Sequence, residues 1–353
     1  MVKEYGYEYD AVLNDAVFER THWSTTNKKL NGALCLRSGR DALKVVAREY
    51  KPTTVYLPAL SCDSMILPFE MYGHKIVFYR LLADYSLDYE YLKIQLNKEQ
   101  QVLFLYTDYF GKQAISDEKL KEIRADYPNI VFIEDRTHNL IWERESSFEP
   151  DYIIASLRKW INTPDGGLLW SSHRLKDTDF SDDTSFAETR IEAQSLRHQF
   201  FETGDANTKL KYRSIFSTVS DIMDTQQIPA RMTEYTYEIA SKTDWEKIRL
   251  SRKNNSQALI SELKKCPNIQ LIQREVGKSD LYVPFLVADR HRQAELSMLG
   301  IFNTVIWPLS EEQKKICRTA CYTDEHMLAA PCDQRYSEAD MHYVGKEIVR
   351  IFQ

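Results

Sequence analysis

The chain has 353 residues, of which 43% are hydrophobic and 28% charged, and its formal net charge is −6. This length favours one large domain with a smaller one beside it, and the composition is typical of a globular protein. The acidic balance argues against a nucleic-acid-binding protein, whose affinity depends on a strongly basic surface. Because the sequence shows neither a membrane-spanning apolar run nor the pattern of a secretory signal at its start, we expect a cytoplasmic protein.

Six cysteines are scattered along the chain: Cys35, Cys62, Cys266, Cys317, Cys321 and Cys332. A reducing compartment would keep them as thiols. Cys317 and Cys321 lie one helical turn apart with His326 nearby, a spacing that could suggest a metal ion. Since no second close pair completes the ligand set, we predict no metal site.

Strand-like and helix-like segments alternate between residues 34 and 170. The predicted strands are Thr54–Leu57, Lys75–Tyr79, Gln101–Tyr106, Ile130–Glu134, Tyr152–Ser156 and Gly167–Trp170. The predicted helices between them are Arg40–Tyr50, Cys62–Met71 and Asp117–Tyr127. In the first helix, Leu43, Val46, Ala47 and Tyr50 recur along one face. This alternation predicts an α/β fold with a largely parallel sheet that helices cover on both sides.

The pattern changes after Arg174. A polar stretch, Leu175–Thr184, is predicted to be a loop, and long helices follow at Glu188–Phe201, Ile215–Asp224 and Arg231–Asn255. A smaller α+β region then contains predicted strands at Ile269–Gln273 and Leu281–Val287 and predicted helices at Arg290–Leu299 and Ser337–Phe352. We therefore predict a large domain over residues 1–235 and a small C-terminal domain over residues 236–353.

A lysine follows an apolar strand closely in the segment that runs from Ile153 to Trp170. The strand ends at Ser156, Lys159 comes three residues later, and a Pro-Asp-Gly-Gly turn leads into the next strand. A lysine at such a position can be partly desolvated, which lowers its pKa and frees the amine as a nucleophile. The alternative is an ordinary exposed lysine beyond a strand end.

Two further segments carry candidate binding groups. Asp135 and His138 follow the apolar strand that begins at Ile130, and open α/β sheets bind ligands at the carboxyl ends of their strands. An aspartate there can hold a protonated heterocyclic nitrogen, or it can simply cap the following turn. Ser38, Gly39 and Arg40 precede a helix, whose open N–H groups attract anions such as phosphate, although Ser-Gly is also a common neutral cap.

Taken in order, these three segments resemble the fold-type I pyridoxal 5′-phosphate (PLP) enzymes, and among them the DegT-like (StrS-like) nucleotide-sugar aminotransferases. That family carries Ser-Gly-Thr-x-Ala-Leu, Glu-Asp-Ala-x-His and a Ser…Lys segment before a Gly-Gly strand. Here the matching segments are Ser38–Leu43, Glu134–His138 and Ser156–Lys159 with Gly166 and Gly167. The likeness extends into the C-terminal region at Tyr282–Phe285, Leu299–Ile301, Trp307–Leu309 and Pro331–Ser337.

The resemblance implies a fold-type I large domain, PLP as the cofactor, and transfer of an amino group from an amino acid such as L-glutamate to a nucleotide-linked keto-sugar. It implies that Lys159 bonds the cofactor and moves a proton, that Asp135 pairs with the pyridine nitrogen, and that His138 lies near the 3′-oxygen. Cofactor-binding positions are then Ser38, Gly39, Arg40, Cys62, Ser156 and Lys211. The family also implies a homodimer, in which Lys211 of one subunit reaches the phosphate in the other.

The chain differs from the family pattern at four places. Cys62 stands where an aromatic residue would stack on the cofactor ring, Asp108 replaces a histidine, Arg40 replaces a threonine, and Lys211 stands where the family has asparagine. Lys159 is kept, which argues against the family's dehydratase branch.

Two alternatives remain open at this point. Ser156-x-x-Lys159 also matches the serine-nucleophile motif of penicillin-binding proteins, although this serine ends a strand and the partner motifs are missing. The changes at Cys62 and Asp108 would also suit a degenerate family member that binds PLP or a partner without transamination.

Overall fold

The strands are short and mostly apolar. The computed structural model describes residues 2–10, 29–142, 146–176, 179–274, 278–304 and 307–353. In these ranges the strands are β1 (Tyr5–Gly6), β2 (Leu34–Leu36), β3 (Thr54–Pro58), β4 (Lys75–Tyr79), β5 (Val102–Thr107), β6 (Ile130–Asp135), β7 (Tyr152–Ser156), β8 (Gly167–Ser171), β9 (Gln270–Leu271), β10 (Tyr282–Leu286), β11 (Ile301–Phe302) and β12 (Met327–Pro331).

Helices connect and cover these strands. They are α1 (Gly39–Glu49), α2 (Asp63–Glu70), α3 (Tyr89–Gln95), α4 (Asp117–Asp126), α5 (Ser185–Thr203), α6 (Ala206–Thr225), α7 (Glu234–Lys242), α8 (Trp245–Leu263), α9 (Gln293–Met298), α10 (Glu311–Ile316), α11 (Arg318–His326) and α12 (Glu338–Phe352).

A seven-stranded sheet forms the centre of the fold. Its strand order is β2-β8-β7-β6-β5-β3-β4. The five strands from β7 to β4 are parallel, whereas β8 is antiparallel to β7 and β2 is antiparallel to β8. All six residues of β5 and all six of β6 are buried. Such continuous burial is expected of parallel strands covered on both faces, and it confirms the predicted sheet.

Helix α1 shows why these sequences form covering helices. Its N-cap Ser38 accepts a hydrogen bond from the Asp41 backbone N–H at 3.1 Å, which satisfies one of the free donors of the first turn. Its apolar face buries Leu43, Val46 and Ala47, and the helix packs against β7 and β8. Each fully buried aliphatic side chain of this size contributes roughly 1.5–3 kcal/mol.

A second, antiparallel sheet lies in the C-terminal part, with strand order β12-β10-β9. Val283, Phe285 and Leu328 from this sheet pack in one apolar core with Leu259 of α8 and Val344 of α12. The N-terminal strand β1 pairs in parallel with β11, so the start of the chain lies against its C-terminal part. The division at residue 235 stays a prediction.

Most predicted elements are confirmed to within one or two residues. Helix α6 begins at Ala206, nine residues before the start of the helix predicted over Ile215–Asp224, and the single helix predicted over Arg231–Asn255 is wrong. The structure has two helices there, α7 and α8. The predicted helix is interrupted at Asp244. The side chain of this residue accepts a hydrogen bond from the Lys247 backbone N–H at 2.9 Å and so forms the N-cap of α8. Strands β1, β2, β11 and β12 and helices α3, α10 and α11 are not among the predicted elements. Residues 177 and 178 of the predicted polar loop lie outside the described ranges.

Candidate active site

Three predicted segments meet at the carboxyl edge of the large sheet. The parallel strands β5, β6 and β7 end in Thr107, Asp135 and Ser156, and the register places Thr107 beside Asp135. The first turn of α1 reaches the same edge, since a Cβ atom added to Gly39 would lie 3.7 Å from the Ser156 Cβ. Parallel connectivity therefore brings residues that are more than a hundred positions apart into one place.

Eight of the nine predicted site residues line one cavity at this edge. It encloses about 590 Å³, part of which opens to solvent. We call it the strand-end cavity. The eight predicted residues in its lining are Ser38, Gly39, Arg40, Cys62, Asp135, His138, Ser156 and Lys159.

The start of α1 is held against the sheet by a close backbone contact at Gly167. A Cβ atom added to Gly167 would lie 2.1 Å from the carbonyl carbon of Ser38, a distance that no side chain can tolerate. The Ser38 hydroxyl donates to Asp41 Oδ2 at 2.7 Å, and Arg37 holds the same carboxylate with two hydrogen bonds of 2.9 Å. The first turn of α1 is thus fixed in place, with its amino end at the strand-end cavity.

Asp135 is a buried carboxylate without an ion pair to any described residue. Burial raises its pKa, while hydrogen bonds from Thr137 and the positive charge of Lys159 oppose that increase. The Thr137 backbone N–H donates to Asp135 Oδ1 at 2.8 Å and so fixes the carboxyl group. A desolvated carboxylate of this kind is stabilised by a ligand that places a positive charge beside it.

His138 is a neutral histidine. Its ring is buried, and burial together with the charge of Lys159 lowers its pKa to about 3. The Nδ1 atom has no hydrogen-bond partner among the described residues. The ring centroid lies 5.3 Å from that of Phe110 and 5.8 Å from that of Trp307. His138 can therefore donate or accept a hydrogen bond in the cavity without carrying charge.

Lys159 closes a single 3₁₀ turn, Leu157–Lys159, that follows β7. The side chain is half-buried and lines the strand-end cavity. Its Nζ atom makes no hydrogen bond or ion pair with any residue that the structure describes. An amine held in a cavity without a partner is available to a ligand.

The backbone beside Lys159 is held by three distant side chains. The Trp160 carbonyl accepts hydrogen bonds from Gln334 Nε2 at 2.8 Å, Tyr9 Oη at 3.1 Å and Arg252 Nη2 at 3.2 Å. Arg252 Nη2 also donates to the Lys159 carbonyl at 3.4 Å and to Tyr9 Oη at 2.9 Å. The turn that carries the lysine is therefore fixed from the N-terminal segment, from α8 and from the segment after β12.

Arg40 and Cys62 line the cavity at its rim. Arg40 Nε lies 2.9 Å from Asp224 Oδ1 of α6, so part of its charge is balanced within the chain. Cys62 is the N-cap residue of α2, and its Sγ lies 3.3 Å from Ser64 Oγ. The thiol presents a small, weakly polar surface at the position where the family that the sequence resembles has an aromatic ring.

Two other acids near the strand ends serve the fold. Asp108 is buried, its Oδ1 accepts a hydrogen bond from the Ala114 backbone N–H at 2.9 Å, and it does not line the strand-end cavity. Glu134 pairs with Arg136 at 2.9 Å. Because consecutive strand residues point to opposite faces, Glu134 and Asp135 have separate surroundings.

Lys211 is the one predicted site residue that lies away from the cavity of its own chain. It sits on the exposed face of α6, where its Nζ lies 3.1 Å from Glu192 Oε1, and both side chains are more than half exposed. A single chain cannot bring this residue to the strand-end cavity, so its role across a dimer stays a prediction.

Eight other residues of the described lining were not predicted as site residues, among them Thr137, Arg158 and Trp307. Thr137 lies within the motif Glu134–His138, and Arg158 immediately precedes Lys159. Both could have been predicted from their closeness to these motifs. Trp307 lies far along the chain and reaches the cavity only through tertiary packing. Its presence supplies the large aromatic surface that Cys62 does not.

The cysteine pair in the C-terminal part makes separate contacts. Cys317 Sγ accepts from the Leu81 backbone N–H at 3.4 Å, while Cys321 Sγ donates to Glu325 Oε1 at 3.4 Å. Across the described ranges, no three His, Cys, Asp or Glu side chains are grouped so that they could hold a metal ion. In the same ranges, no helix is both long and apolar enough to cross a membrane.

Comparison with known proteins identifies the fold. No protein-family model and no curated protein sequence matches the chain. Among solved structures, it matches PseC of Helicobacter pylori, an aminotransferase involved in the biosynthesis of pseudoaminic acid, with 14% identity, a TM-score of 0.69 and 99% coverage of each chain. It matches Spr1654 of Streptococcus pneumoniae in its PLP form with 17% identity, a TM-score of 0.66 and coverage of 94% and 93%.

A third match is DesI in the presence of its TDP-sugar product, with 14% identity, a TM-score of 0.66 and coverage of 90% of this chain and 80% of DesI. Identities this low establish the fold and leave activity to be argued from the site. The chain has the fold of these three proteins, which is the fold-type I architecture predicted from its sequence.

Proposed function

We propose that this protein is a PLP-dependent aminotransferase that moves an amino group from an amino acid, L-glutamate, to the keto group of a nucleotide-linked sugar. One observation carries the proposal. A lysine amine that has no partner in the described part of the chain lines the same cavity as a buried carboxylate with a raised pKa and the amino end of α1. These are the groups that a carbonyl, a pyridine nitrogen and a phosphate require.

The strand-end cavity fits this cofactor. Its lining brings together the half-buried amine of Lys159, the buried carboxylate of Asp135 and the first turn of α1. Gly39 and Ser156 face each other at the amino end of α1, where a phosphate would be favoured. Asp135 would hold the ring nitrogen, and Lys159 would hold the carbonyl carbon. When bound, PLP acts as an electron sink for negative charge on the substrate α-carbon.

Lys159 and Asp135 then have distinct tasks. The Lys159 amine would act as the base that takes a proton from the substrate α-carbon and returns it to the cofactor carbon C4′. The Asp135 carboxylate, fixed by the Thr137 backbone N–H, keeps the facing nitrogen protonated. Burial disfavours the ionised form of Asp135 when no cation is beside it. Burial also strengthens the Coulomb attraction between the carboxylate and a cationic partner.

His138 would serve as a neutral hydrogen-bonding group. Its lowered pKa of about 3 keeps the ring uncharged at physiological pH. An uncharged imidazole can contact the phenolic oxygen of the cofactor without competing with Asp135 for the positive charge of the ring.

The acceptor and the assembly are proposed from the resemblance and the fold. Among the similar structures, PseC is an aminotransferase involved in the biosynthesis of pseudoaminic acid, and DesI was solved in the presence of its TDP-sugar product. We propose a nucleotide-linked keto-sugar acceptor, a cytoplasmic location, and a homodimer in which Lys211 completes the phosphate site of the other subunit. Light scattering on the purified protein should give twice the mass of one chain.

The direct test is a pair of half-reactions. The protein is loaded with PLP and mixed with L-glutamate, and formation of 2-oxoglutarate is measured with the fall in visible cofactor absorbance. The pyridoxamine form is then offered a panel of keto-sugar nucleotides, and the amino-sugar product is identified by mass spectrometry. We expect stoichiometric 2-oxoglutarate and one preferred acceptor.

A second candidate function is cofactor or partner binding without turnover. The Cys62 thiol in place of an aromatic ring and the structural use of Asp108 favour it. A protein that binds PLP and yields no keto acid from any amino acid would support this candidate and contradict the aminotransferase.

A further inference from the structure

A second cavity adjoins the strand-end cavity. It spans about 910 Å³, including space that is open to solvent, and Arg158 and Lys159 line both cavities. The remaining charged residues in its lining are Glu8, Arg252, Asp333 and Arg335. Because of its three guanidinium groups, we call it the arginine cavity.

Two of the three guanidinium groups are fully engaged within the protein. Arg335 forms a forked ion pair with Asp333, with Nε–Oδ1 at 2.7 Å and Nη2–Oδ2 at 2.9 Å. Arg252 is buried and donates to neutral oxygens, among them Gln334 Oε1 at 2.8 Å and the backbone carbonyls beside Lys159. Both are positioned by contacts that leave little freedom to move.

Arg158 is engaged much more weakly. Its nearest carboxylate among the described residues is Glu8, at 3.7 Å. Glu8 is held more closely by Arg190, at 2.7 Å, so one carboxylate faces two guanidinium groups. Burial, and then the charge of Arg190, lower the pKa of Arg158 to about 10. Arg158 is therefore a partly buried cation that has no carboxylate to itself among the residues that the structure describes.

The charge balance of the arginine cavity calls for an anion. When Lys159 is engaged in the strand-end cavity, the described lining of the arginine cavity holds three guanidinium groups (Arg158, Arg252, Arg335) and two carboxylates (Glu8, Asp333), an excess of one positive charge. One carboxylate of a ligand would neutralise it. A planar guanidinium suits that group because it can form two parallel hydrogen bonds with it.

We propose that the arginine cavity binds a carboxylate of the amino donor and that Arg158 is its principal ligand. The inference rests on the proposed function, because it is the Lys159 amine that fixes where the amino donor must react. An amino acid at the boundary of the two cavities keeps its nitrogen beside Lys159 and extends a carboxylate towards Arg158. The arginine cavity thereby selects donors that carry a carboxylate.

The test uses glutarate, a dicarboxylate that has no amino group and cannot react. Binding is measured by titration calorimetry on the protein with and without PLP. We expect wild-type protein to bind glutarate and Arg158→Gln to bind it at least about tenfold more weakly. Arg158→Lys keeps the charge but not the two parallel hydrogen bonds, so its affinity should fall between the two. Arg350→Gln is the matched control, because Arg350 is 61% exposed on α12 and pairs only with Glu347 in the described structure.

Several results would overturn the inference. They are no glutarate binding to wild-type protein, equal binding to Arg158→Gln, or stronger binding of inorganic phosphate than of glutarate when PLP fills the strand-end cavity. Circular dichroism of each variant shows whether it is folded, and the Lys variant keeps the test valid if the Gln variant is not. Glutarate binding by a protein that never forms 2-oxoglutarate would confirm the carboxylate site and contradict the proposed function instead.

Discussion

The strand-end cavity and the arginine cavity share Arg158 and Lys159, but their other buried ionisable groups differ in whether they are paired. In the first, Asp135 and His138 are buried without ionic partners, and desolvation shifts their pKa values towards the neutral forms. In the second, Asp333 and Arg335 are paired, and their charged forms are favoured. Unpaired, shifted groups are typical of places where protons move, whereas paired groups are typical of places that hold a shape or a charge.

The turn that carries Lys159 connects the two regions. On one side it places the amine in the strand-end cavity, and on the other its backbone carbonyls are gripped by Arg252, Tyr9 and Gln334. One short turn thus separates Arg252, whose charge stabilises the fold, from the Lys159 amine, which is available for chemistry. Substitutions in the strand-end cavity should therefore change activity, whereas substitutions among the groups that hold the backbone of this turn should change stability.

The largest effect is expected at the shared residue. Lys159→Ala removes the amine that would bond the cofactor and move the proton, so transamination should fall by about a thousandfold or more. The visible absorbance of lysine-bound PLP should also disappear, and both are measured on protein reconstituted with PLP. Lys93→Ala, which changes an exposed lysine of α3, is the matched control. Normal turnover in the Lys159 variant would remove the strand-end cavity from the chemistry.

Asp135→Asn tests whether the unpaired carboxylate of the strand-end cavity is used for its charge. The amide keeps the shape but cannot hold a nitrogen protonated, so activity should fall about a hundredfold while PLP stays bound. Stability gives a second measurement. Because burial raises the pKa of Asp135, its ionisation above that pKa costs stability in the cofactor-free protein. The Asn variant without PLP should unfold at higher urea concentration at neutral pH, and this gain should vanish in acid.

Arg252→Lys tests the opposite side of the turn, where charge is used to hold structure. A lysine ammonium cannot reproduce hydrogen bonds that spread over three guanidinium nitrogens, from Nε to Gln334, from Nη1 to the Asp280 and Leu281 carbonyls and from Nη2 to the Trp160 carbonyl. We expect the free energy of unfolding to fall by about 2 kcal/mol, measured by urea titration without cofactor. Loss of activity without any loss of stability would show that Arg252 acts in the chemistry and would blur the distinction between the two regions.

His138→Gln should have the smallest effect, visible as a change in acid sensitivity. Burial lowers the pKa of His138 to about 3, so the unfolded chain takes up a proton that the folded protein excludes. Stability is therefore lost as the pH falls from about 6.5 towards 3. Without PLP, the variant should lose about 2 kcal/mol less than wild type between pH 7 and about pH 4.5. Parallel pH profiles for the two proteins would contradict the buried, neutral histidine.

Sequence reasoning reached the strand-end cavity because its residues lie at positions that local pattern marks. Asp135 and Ser156 end apolar strands, and Gly39 opens a helix, so parallel connectivity alone brings them to one edge. The break in the helix predicted over Arg231–Asn255 depends on a side-chain cap at Asp244, which the apolar pattern does not mark.

The arginine cavity could not be predicted in this way. Glu8, Arg158, Arg252 and Arg335 come from four separate parts of the chain, and each in isolation is an ordinary charged residue. Trp307 reaches the strand-end cavity for the same tertiary reason. The predicted role of Lys211 requires a second subunit, which no pattern within one chain can supply.

The central claim is that one amine, Lys159, bonds the cofactor beside Asp135. Borohydride reduction of the PLP-loaded protein, followed by proteolysis and mass spectrometry, tests it directly. The account predicts one labelled peptide, with the pyridoxyl group on Lys159, and no label in Lys159→Ala. A label on another lysine, or none after reconstitution with PLP, would contradict it.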